Sequence, residues 1–385
     1  MSEPIRVLQV VTYMGRGGLE TMLMNYYRNI DRDKVQFDFL THRDERWDYD
    51  DEIESLGGKI YHLPKLNPFS KNYLNALDKF FKEHKEYQIV HCHQDCLSGV
   101  VLKVAKKNGV KFTIAHSHNA NQDKNLKYLI KLFEKRKIPK YADKLFACGN
   151  EAGRWMFNTD NFEVLNNAID TDLYTYNAEK ASKVKKEFGI ENKFVVGHVG
   201  RFNPQKNHEF LIDVFNEIQK IKEDSVLMLV GDGDLRQEIE QKVQDLGLSE
   251  KVIFTGIRSD VNDLMQGMDV FLFPSLYEGL GIVLIEAQAS GLKCIISDTI
   301  PKDGIITDDV LSLSLNQSPV IWANEVLKYQ GYKRIDNKEL IEKADYDIKN
   351  NAKKLEQFYI QNTRDRKSTR LNSSHPLSSR MPSSA

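Results

Sequence analysis

Apolar runs alternate with amphipathic stretches along the first half of the chain. The segment IRVLQVV at 5–11 is a mainly apolar run, which is typical of a strand buried on both faces of a parallel sheet. The segment LETMLMNYYRNI at 19–30 has apolar residues three and four positions apart, a spacing that predicts a helix. Further strands are predicted in FDFLTH, KIYHL, QIVHCH, KFTIAHSH and DKLFACG, further helices in NYLNALDKFFKEH and SGVVLKVAKKNG, and the exit from this half in FEVLNNAI.

The second half of the chain repeats this alternation. FVVGHVG at 194–200 is predicted to be a strand and HEFLIDVFNEIQK a helix, with Asn207 placed to cap it. Strands are also predicted in SVLMLVGDG, KVIFTG, DVFLFPS and LKCIISD. Such alternation predicts parallel sheets with helices on both faces. The fold class is therefore α/β, with two Rossmann-like domains facing each other across a cleft.

The same pattern predicts where the domains begin and end. We place the first domain at 1–168 and the second at 169–343, with the linker within 167–180. An amphipathic helix at 344–363 is expected to pack back on the first domain. The tail at 364–385 is rich in Ser and Arg and lacks apolar periodicity, so we expect it to be disordered. Its stretch DRKSTRLNSSH resembles the translation of a sequencing adapter, and the tail is left out of the fold prediction.

Composition limits the classes of function. The chain has 385 residues, 41% of them hydrophobic, which suffices for two domains of ordinary size. A formal net charge of −1 gives no field that would favour nucleic acid. Because no apolar run reaches the ~20 residues of a spanning helix and the N-terminus has no signal-like core, we expect a cytoplasmic protein. The four cysteines are expected to be reduced.

The most informative segment is PSLYEGLGIVLIEAQASG at 274–291, which follows the predicted strand DVFLFPS. Ligands bind at the carboxyl ends of strands in such sheets, and the free N–H groups of a helix start suit a phosphate. Gly279 and Gly281 let the backbone approach a ligand closely. Glu286 could turn back to a diol such as ribose, and Glu278 could meet the group beyond the far phosphate. These placements favour a sugar nucleotide as ligand.

Two further turns carry candidate phosphate-binding groups. In GRFNPQKN, Arg201 and Lys206 lie where two cations could clamp a diphosphate, although solvated cations on a loop are the commoner case. The first strand ends in YMGRGGLETM, where Gly17 and Gly18 make a phosphate-approaching loop possible. Its spacing is not G-x-G-x-x-G, so the dinucleotide fingerprint is not met.

Histidines follow two of the predicted strands. His116 and His118 lie two positions apart at the end of KFTIAHSHN and would point to the same side of an extended segment. They would be catalytic if they face the cleft, and hydrogen-bonded structural histidines if they do not. The cluster HCHQDC at 91–96 lacks the paired spacings of structural zinc sites, and no metal is predicted there.

A lysine-rich segment at 124–144, KNLKYLIKLFEKRKIPKYADK, has apolar residues between its charges. A basic amphipathic helix can lie on an anionic membrane, whereas the commoner arrangement is a solvated face over the core. Both interpretations stay open at this point. The first would bring the protein to the inner face of the plasma membrane.

Taken in order, these motifs resemble glycosyltransferase family 4, retaining enzymes of the GT-B fold, and more narrowly the bacterial enzymes that build exopolysaccharide or capsule. The resemblance covers residues 5 to about 360 and is carried by VLNNAIDTDLY, HVGRFNPQKN, LVGDGDLR, VIFTG and FPSLYEGLGIVLIEAQASG. One departure is Asn167-Ala168, where the family usually has Asn-Gly. The resemblance implies an acceptor-side N-terminal domain and a nucleotide-sugar-binding C-terminal domain.

The resemblance also implies a reaction. A hexose or N-acetylhexosamine would move from a nucleotide sugar, UDP by the family's habit, to a hydroxyl of a glycan or polyprenyl-diphosphate-linked acceptor, with retention and without a metal or other cofactor. Glu278 and His116 would act at the donor sugar, with His118 as the alternative to His116. Glu286 would bind the ribose and Ile257 the base. The donor diphosphate would be held by Arg201, Lys206, Gly17, Gly18 and the turn Leu280, Gly281, Ile282 and Val283.

Other functions are compatible with parts of this pattern. A nucleotide-sugar epimerase or a small-glycoside synthase would use the same fold, although an epimerase would need a different set of acid and base carboxylates. Two Rossmann-like halves also suit an NAD(P)-dependent oxidoreductase, against which the missing glycine fingerprint counts. A non-catalytic partner subunit is the last alternative, and the presence of Arg201, Lys206, Glu278 and Glu286 argues against it.

Overall fold

Two parallel sheets make up the centre of the molecule. The computed structural model describes residues 3–119 and 128–364. Within them, every pair of named strands is parallel. The first sheet contains β1 Ile5–Val10, β2 Val35–Thr41, β3 Ile60–His62, β4 Ile89–Cys92, β5 Phe112–Ser117, β6 Lys144–Ala147 and β7 Glu163–Val164. The second contains β8 Phe194–Val199, β9 Ser225–Val230, β10 Val252–Gly256, β11 Val270–Phe273, β12 Lys293–Ser297 and β13 Val310–Leu313.

Helices connect successive strands and cover both faces of each sheet, as the alternation in the sequence predicts. The α-helices of the first half are α1 Gly18–Asn29, α2 Asp50–Ser55, α3 Lys71–Glu83, α4 Ser98–Lys107, α5 Tyr128–Lys135, α6 Ile138–Tyr141 and α7 Asn150–Phe157. Those that follow are α8 Thr171–Tyr174, α9 Ala178–Glu187, α10 His208–Ile221, α11 Arg236–Asp245, α12 Val261–Gly267, α13 Ile282–Ala289, α14 Pro319–Leu327, α15 Lys338–Lys343 and α16 Ile348–Arg364. Among the described residues, no helix combines the length and the apolar character needed to cross a bilayer.

Each sheet has one point at which the strand order reverses. The first sheet runs β3-β2-β1-β4-β5-β6-β7, so the reversal lies between β1 and β4. The second runs β10-β9-β8-β11-β12-β13, with the reversal between β8 and β11. In open α/β sheets, ligands bind outside the carboxyl ends of the strands at such a point. The turns that leave β1, β4, β8 and β11 are therefore the places to look for a site.

The C-terminal helix α16 packs on the first sheet although it follows the second one. Leu355 and Tyr359 are buried in the same apolar cluster as Val7 and Phe37. The connections between the halves run side by side, because the Ile169 N–H donates to the Tyr346 carbonyl and the Ile348 N–H donates to the Ile169 carbonyl, both at 2.9 Å. The predicted boundaries at 168/169 and 343/344 stay a prediction.

The predicted final helix begins later than expected. The expectation was a helix from residue 344, but α16 starts at Ile348. Asp345 has a left-handed backbone, with φ of 66°, which interrupts a right-handed helix. The Asp347 carboxylate accepts from the Asn350 N–H at 3.0 Å and so caps the helix at its true start. The predicted disorder of the tail from residue 365 onward, and the first part of the lysine-rich segment at 124–127, lie outside the described residues.

Candidate functional site

A glycine turn joins β11 to α13 at the switch point of the second sheet. Gly281 has φ of 72° and occupies the N-cap position of α13. The backbone N–H groups of Ile282 and Val283, in the first turn of that helix, have no acceptor within the helix. Leu280 is 3% exposed and packs inward, so it can offer a ligand only its backbone. The predicted phosphate-binding turn therefore has the geometry of an anion site at a helix start.

Glu278 and Lys206 form a nearly buried ion pair at this turn. The Lys206 Nζ lies 2.6 Å from the Glu278 Oε1, and the two side chains are 15% and 7% exposed. Gln205 donates to the other carboxylate oxygen at 3.3 Å. The Lys206 ammonium also lies 4.8 Å from the centroid of the Phe273 ring. The structure thus brings together two residues that the sequence predicted separately, 72 positions apart.

The Gly200–Asn207 turn that carries Lys206 is tied to the glycine turn by hydrogen bonds. The Leu276 N–H donates to the Gln205 carbonyl at 2.8 Å. Asn207 sits at the start of α10, as predicted, but its side chain makes no capping bond and instead donates to the Pro274 carbonyl at 3.2 Å. Arg201 is more open: its guanidinium lies 3.6 Å from Asp234, and its side chain is 60% exposed. Arg201 can therefore swing toward a ligand at little cost.

Glu286 lies on the buried face of α13 rather than in solvent. Its side chain is 7% exposed, and the Tyr174 hydroxyl donates to its carboxylate. Burial raises the pKa of Glu286 to about 7, and the hydrogen bond from Tyr174 opposes that shift. Ile257, which follows β10, is 59% exposed and can offer an apolar surface to a ligand.

The glycine loop of the first half opens helix α1 at the other switch point. Gly17 occupies the N-cap position and Gly18 is the first helical residue. A side chain at position 17 would collide with the carboxylate of Glu20, whereas position 18 has open space around it. Burial raises the pKa of Glu20 to about 7. The loop therefore presents backbone N–H groups, as predicted, over a carboxyl group that is easily neutralised.

The two halves touch where Gly279 meets His118. A β-carbon at position 279 would lie 2.7 Å from the His118 carbonyl oxygen, closer than side chains are found. His116 lies deeper: it is 1% exposed, and its ring centroid is 4.1 Å from that of His118. Both side chains do fall on one side of β5, as their spacing predicted. Of the two candidates, His118 is the one whose backbone contacts the segment at 274–291.

Several residues at this site were not singled out from the sequence. Tyr174 and Gln205 hold the two glutamates, yet neither has a spacing or a motif that marks such a role. A cavity of about 170 Å³ lies beside β4 and extends as far as α5. The sequence analysis considered the motif HCHQDC only as a metal site, and did not predict that it forms the wall of a cavity. The lining includes Thr12, His93, Gln94, Cys96, Leu97 and Lys131.

Two facing Rossmann-like halves, with an anion-binding turn at the switch point of the second, define a GT-B glycosyltransferase. Family models agree with this class: residues 16–173 match glycosyltransferase family 4, and residues 180–317 match glycosyl transferases group 1. The chain is 39% identical over 376 residues to the putative glycosyltransferase EpsF of Bacillus subtilis, covering 92% of this chain and 96% of that protein. The chain therefore belongs to glycosyltransferase family 4, and it is a hexosyltransferase.

Two further similarities agree with this assignment. The capsular polysaccharide biosynthesis glycosyltransferase CapH of Staphylococcus aureus is 26% identical, with 93% of this chain and 99% of CapH covered. The crystal structure of HepE from Anabaena in complex with UDP-glucose superposes with a TM-score of 0.75 at 18% identity, covering 92% of this chain and 99% of HepE. The GT-B fold predicted from the sequence is confirmed. The alternative of an NAD(P)-dependent oxidoreductase is not supported.

Proposed function

We propose that this enzyme transfers a hexose or N-acetylhexosamine from a UDP-sugar, with retention, to a glycan or polyprenyl-diphosphate-linked acceptor in exopolysaccharide or capsule synthesis. The observation that carries the proposal is the Lys206–Glu278 pair beside the start of α13. A cation and a set of free N–H groups at that point suit a diphosphate. The biosynthetic role follows the name of CapH, and the donor follows the UDP-glucose bound to HepE.

In the proposed donor complex, charge on the leaving diphosphate is stabilised by fixed groups. Lys206, Arg201 and the backbone N–H groups of Ile282 and Val283 would surround it, and the loop at Gly17 and Gly18 would face it from the other half. Cations and N–H groups in fixed positions stabilise the negative charge that develops on the diphosphate as the sugar–phosphate bond breaks. Because these cations and N–H groups can stabilise the charge of the diphosphate, the proposed reaction assigns no metal to the donor.

The remaining roles follow from burial and neighbours. Glu286 would accept hydrogen bonds from the ribose hydroxyls, and Ile257 would lie against the base. Glu278, held by Lys206 on one oxygen, would contact the donor sugar with the other. We assign the contact with that sugar to His118 and not to His116, which is supported by the contact between the His118 carbonyl and Gly279. These groups position the sugar and the acceptor hydroxyl for attack.

A panel of nucleotides tests the donor site. We expect UDP to raise the melting temperature more than GDP, ADP or NADH, since a ligand at ~100 times its dissociation constant adds about 2.7 kcal/mol. Arg201→Ala should weaken that shift without disturbing the fold, because the side chain is exposed. The matched control is Lys222→Ala, which removes a surface cation paired with Asp224. A shift with NADH alone would overturn the proposal.

Turnover tests the diphosphate clamp directly. Lys206→Ala is expected to lower the transfer rate at least ~100-fold, as the loss of one oxyanion donor does. Because this change leaves Glu278 without its counter-charge, the melting temperatures of Lys206→Ala and of the double variant Lys206→Ala, Glu278→Gln show whether a stranded buried charge destabilises the fold. Transfer at the wild-type rate by Lys206→Ala would refute the clamp, and an inverted anomeric centre in the product would refute retention.

The basic helix α5 supports a proposed membrane contact. Leu129 and Phe133 are 76% and 60% exposed on this helix. Lys131 lines the cavity beside β4, so an acceptor carried by a lipid could enter from the same side. Exposed apolar residues among lysines are the features of a helix that lies in a membrane interface. The proposed location is the inner face of the plasma membrane.

Vesicle flotation tests this contact. The protein should float with vesicles containing anionic phospholipid and not with vesicles of phosphatidylcholine alone, and Leu129→Ser with Phe133→Ser should abolish flotation. Phe69→Ser is the matched control, because Phe69 is 70% exposed and lies outside α5, between β3 and α3. Equal flotation of all three proteins would contradict the contact while leaving the donor site untouched.

A further inference from the structure

Four histidine rings are stacked in the interior of the first half, between the ends of β4 and β5. The ring centroids of His91 and His93 lie 4.3 Å apart, and that of His116 lies 5.3 Å from each of them. His118 completes the group at 4.1 Å from His116. His91, His93 and His116 are each 3% exposed or less. The transfer reaction proposed above uses none of these first three rings.

Several nitrogens of this cluster have no hydrogen-bond partner among the described residues. They are Nε2 of His91, both nitrogens of His116 and Nδ1 of His118. A buried polar atom without a partner is unfavourable, so a concentration of them in one place favours an occupant. The lone pairs available there are all imidazole nitrogens, the ligands that first-row transition metals prefer.

The other nitrogens of two of these rings are already oriented. Nδ1 of His91 lies 2.7 Å from the Tyr359 hydroxyl, and Nε2 of His93 lies 3.0 Å from the Gln9 Oε1. Gln9 can therefore accept from His93 Nε2–H, which leaves a lone pair on Nδ1 of His93. Histidines that bind a metal characteristically hold their second nitrogen in this way, which sets the tautomer and the direction of the lone pair.

We propose that His91, His93 and His116 form a binding site for a divalent transition-metal ion, with Zn²⁺ as the natural candidate. One nitrogen from each residue lies within 4.8 Å of the others. A cation at their centre would be at most about 2.8 Å from each nitrogen, and movements below ~1 Å would reach the 2.0–2.1 Å of a zinc–imidazole bond. Nδ1 of His93 would exchange its present 2.8 Å contact with Nε2 of His118 for the metal.

The chemistry of the site suits a metal in two more ways. His91, His93 and His116 are buried against one another without a carboxylate partner in the described part of the chain, which favours neutral imidazole, the form that binds a metal. The cavity beside β4 reaches His93, which gives an ion a route inward.

Such an ion would act on the framework of the first half and not on the donor. It would join β4 to β5 and, through Tyr359, both strands to α16. Because the ion would take Nδ1 of His93 away from Nε2 of His118, it would also free the ring of His118, whose carbonyl oxygen lies against Gly279. The proposal departs from the sequence-based prediction of no metal at HCHQDC, which rested on the spacing within one motif; the third ligand comes from another strand.

Metal content tests the proposal. The full chain, purified without a histidine tag, is stripped with a chelator and titrated with Co²⁺, whose visible spectrum changes on binding to imidazole. We expect one Co²⁺ per chain, displaced by Zn²⁺, and a higher melting temperature when the ion is bound. A spectrum that shows no saturable binding, with no zinc retained by the protein as isolated, would overturn the proposal.

Variants separate binding from folding. His116→Asn should bind Co²⁺ at least ~10-fold more weakly, and Tyr359→Phe, which keeps every ligand, should weaken binding ~10- to 100-fold by freeing the His91 ring. The matched control is His208→Asn: His208 is 1% exposed, its nitrogens are also unpartnered among the described residues, and it lies in the other half. If His116→Asn keeps a melting transition and binds Co²⁺ as tightly as the wild type, the site is not the histidine cluster.

Discussion

At the scale of single residues, the two glutamates of one short segment have opposite environments. Glu278 is balanced by Lys206 at 2.6 Å, whereas Glu286 is buried with only hydrogen bonding from Tyr174 to hold it. Burial without a counter-charge favours the protonated form, so the pKa of Glu286 is about 7. A ribose hydroxyl would meet a carboxyl group that changes charge close to physiological pH.

The raised pKa of Glu286 makes stability depend on pH. Between the ordinary value of 4.5 and about 7, the folded protein holds a proton at Glu286 that the unfolded chain has released, so stability falls as pH rises through this window. We expect Glu286→Gln to remove that fall. The difference in unfolding free energy, variant minus wild type, should therefore increase by about 2–3 kcal/mol between pH 5 and pH 8. Melting curves of both proteins at the two pH values would show this, and parallel behaviour would contradict it.

Gly279 is required by the contact between the halves. In Gly279→Ala the new β-carbon would meet the His118 carbonyl at 2.7 Å, a backbone atom that cannot turn away. We expect kcat/KM to fall at least ~10-fold while the melting temperature changes little, because the halves are held apart and the reacting groups misplaced. Gly149→Ala is the control, since its β-carbon would lie 3.6 Å from Asp303 across the same interface, an ordinary contact. Equal steady-state kinetics for the two variants would contradict the expectation.

The sequence predicted the residue types of the site better than their contacts. Arg201, Lys206, Glu278 and the glycine turn can be read from motifs, because each follows an apolar run at a strand end. That Lys206 pairs with Glu278 depends on β8 and β11 being neighbours, which strand order decides and local sequence does not. The burial of His91 depends in the same way on α16, because its Nδ1 lies 2.7 Å from the hydroxyl of Tyr359, more than two hundred residues later in the chain.

At the scale of elements, the strands were predictable and the short polar helices were not. Continuous apolar runs mark β1, β9 and β11 because these strands are covered on both faces. Helix α9 has two buried residues in ten, so its apolar periodicity is weak. Strand β13 has no fully buried residue and pairs only along β12 within the described sheet, so its apolar pattern is weak.

Helix α16 should determine the stability of the first half. Leu355 is 4% exposed in the core shared with β1 and β2, so Leu355→Ala is expected to destabilise that half by about 2–4 kcal/mol through lost contacts and a cavity. Lys353→Ala, on the exposed face of the same helix, should change stability by less than ~0.5 kcal/mol. Calorimetry in saturating UDP would separate the two halves. If Leu355→Ala lowers only the transition that UDP stabilises, α16 stabilises the second half and the expectation is wrong.

At the scale of the whole molecule, the reactivity of the buried cysteines can report the opening of each half. All four are free and buried: Cys92, Cys96 and Cys148 in the first half and Cys294 on β12 in the second. Burial raises the pKa of Cys92 and Cys148 to about 12, so the reactive thiolate is scarce in the folded protein. Reaction with a thiol reagent therefore requires opening of the surrounding core.

UDP is expected to protect one thiol and not the others. A ligand at ~100 times its dissociation constant should slow the reaction of Cys294 about 100-fold if opening of the second half is independent, and leave Cys92 and Cys148 unchanged. Mass spectrometry after timed labelling measures each site, and Arg201→Ala should lose the protection. Uniform protection of all four cysteines would mean that the molecule opens as one unit.

The paired crossings at Ile169 and Ile348 have a consequence for how such enzymes can be rearranged. Since α16 completes the core of the first half, the second half is an insertion inside the first half and not a neighbour that follows it. A cut at residue 168 would strip a core helix from one half. Exchange of segments between relatives, in evolution or in the laboratory, should therefore succeed when the whole stretch from 169 to 347 is exchanged as one unit. The segments before and after it, which share one core, then come from the same protein.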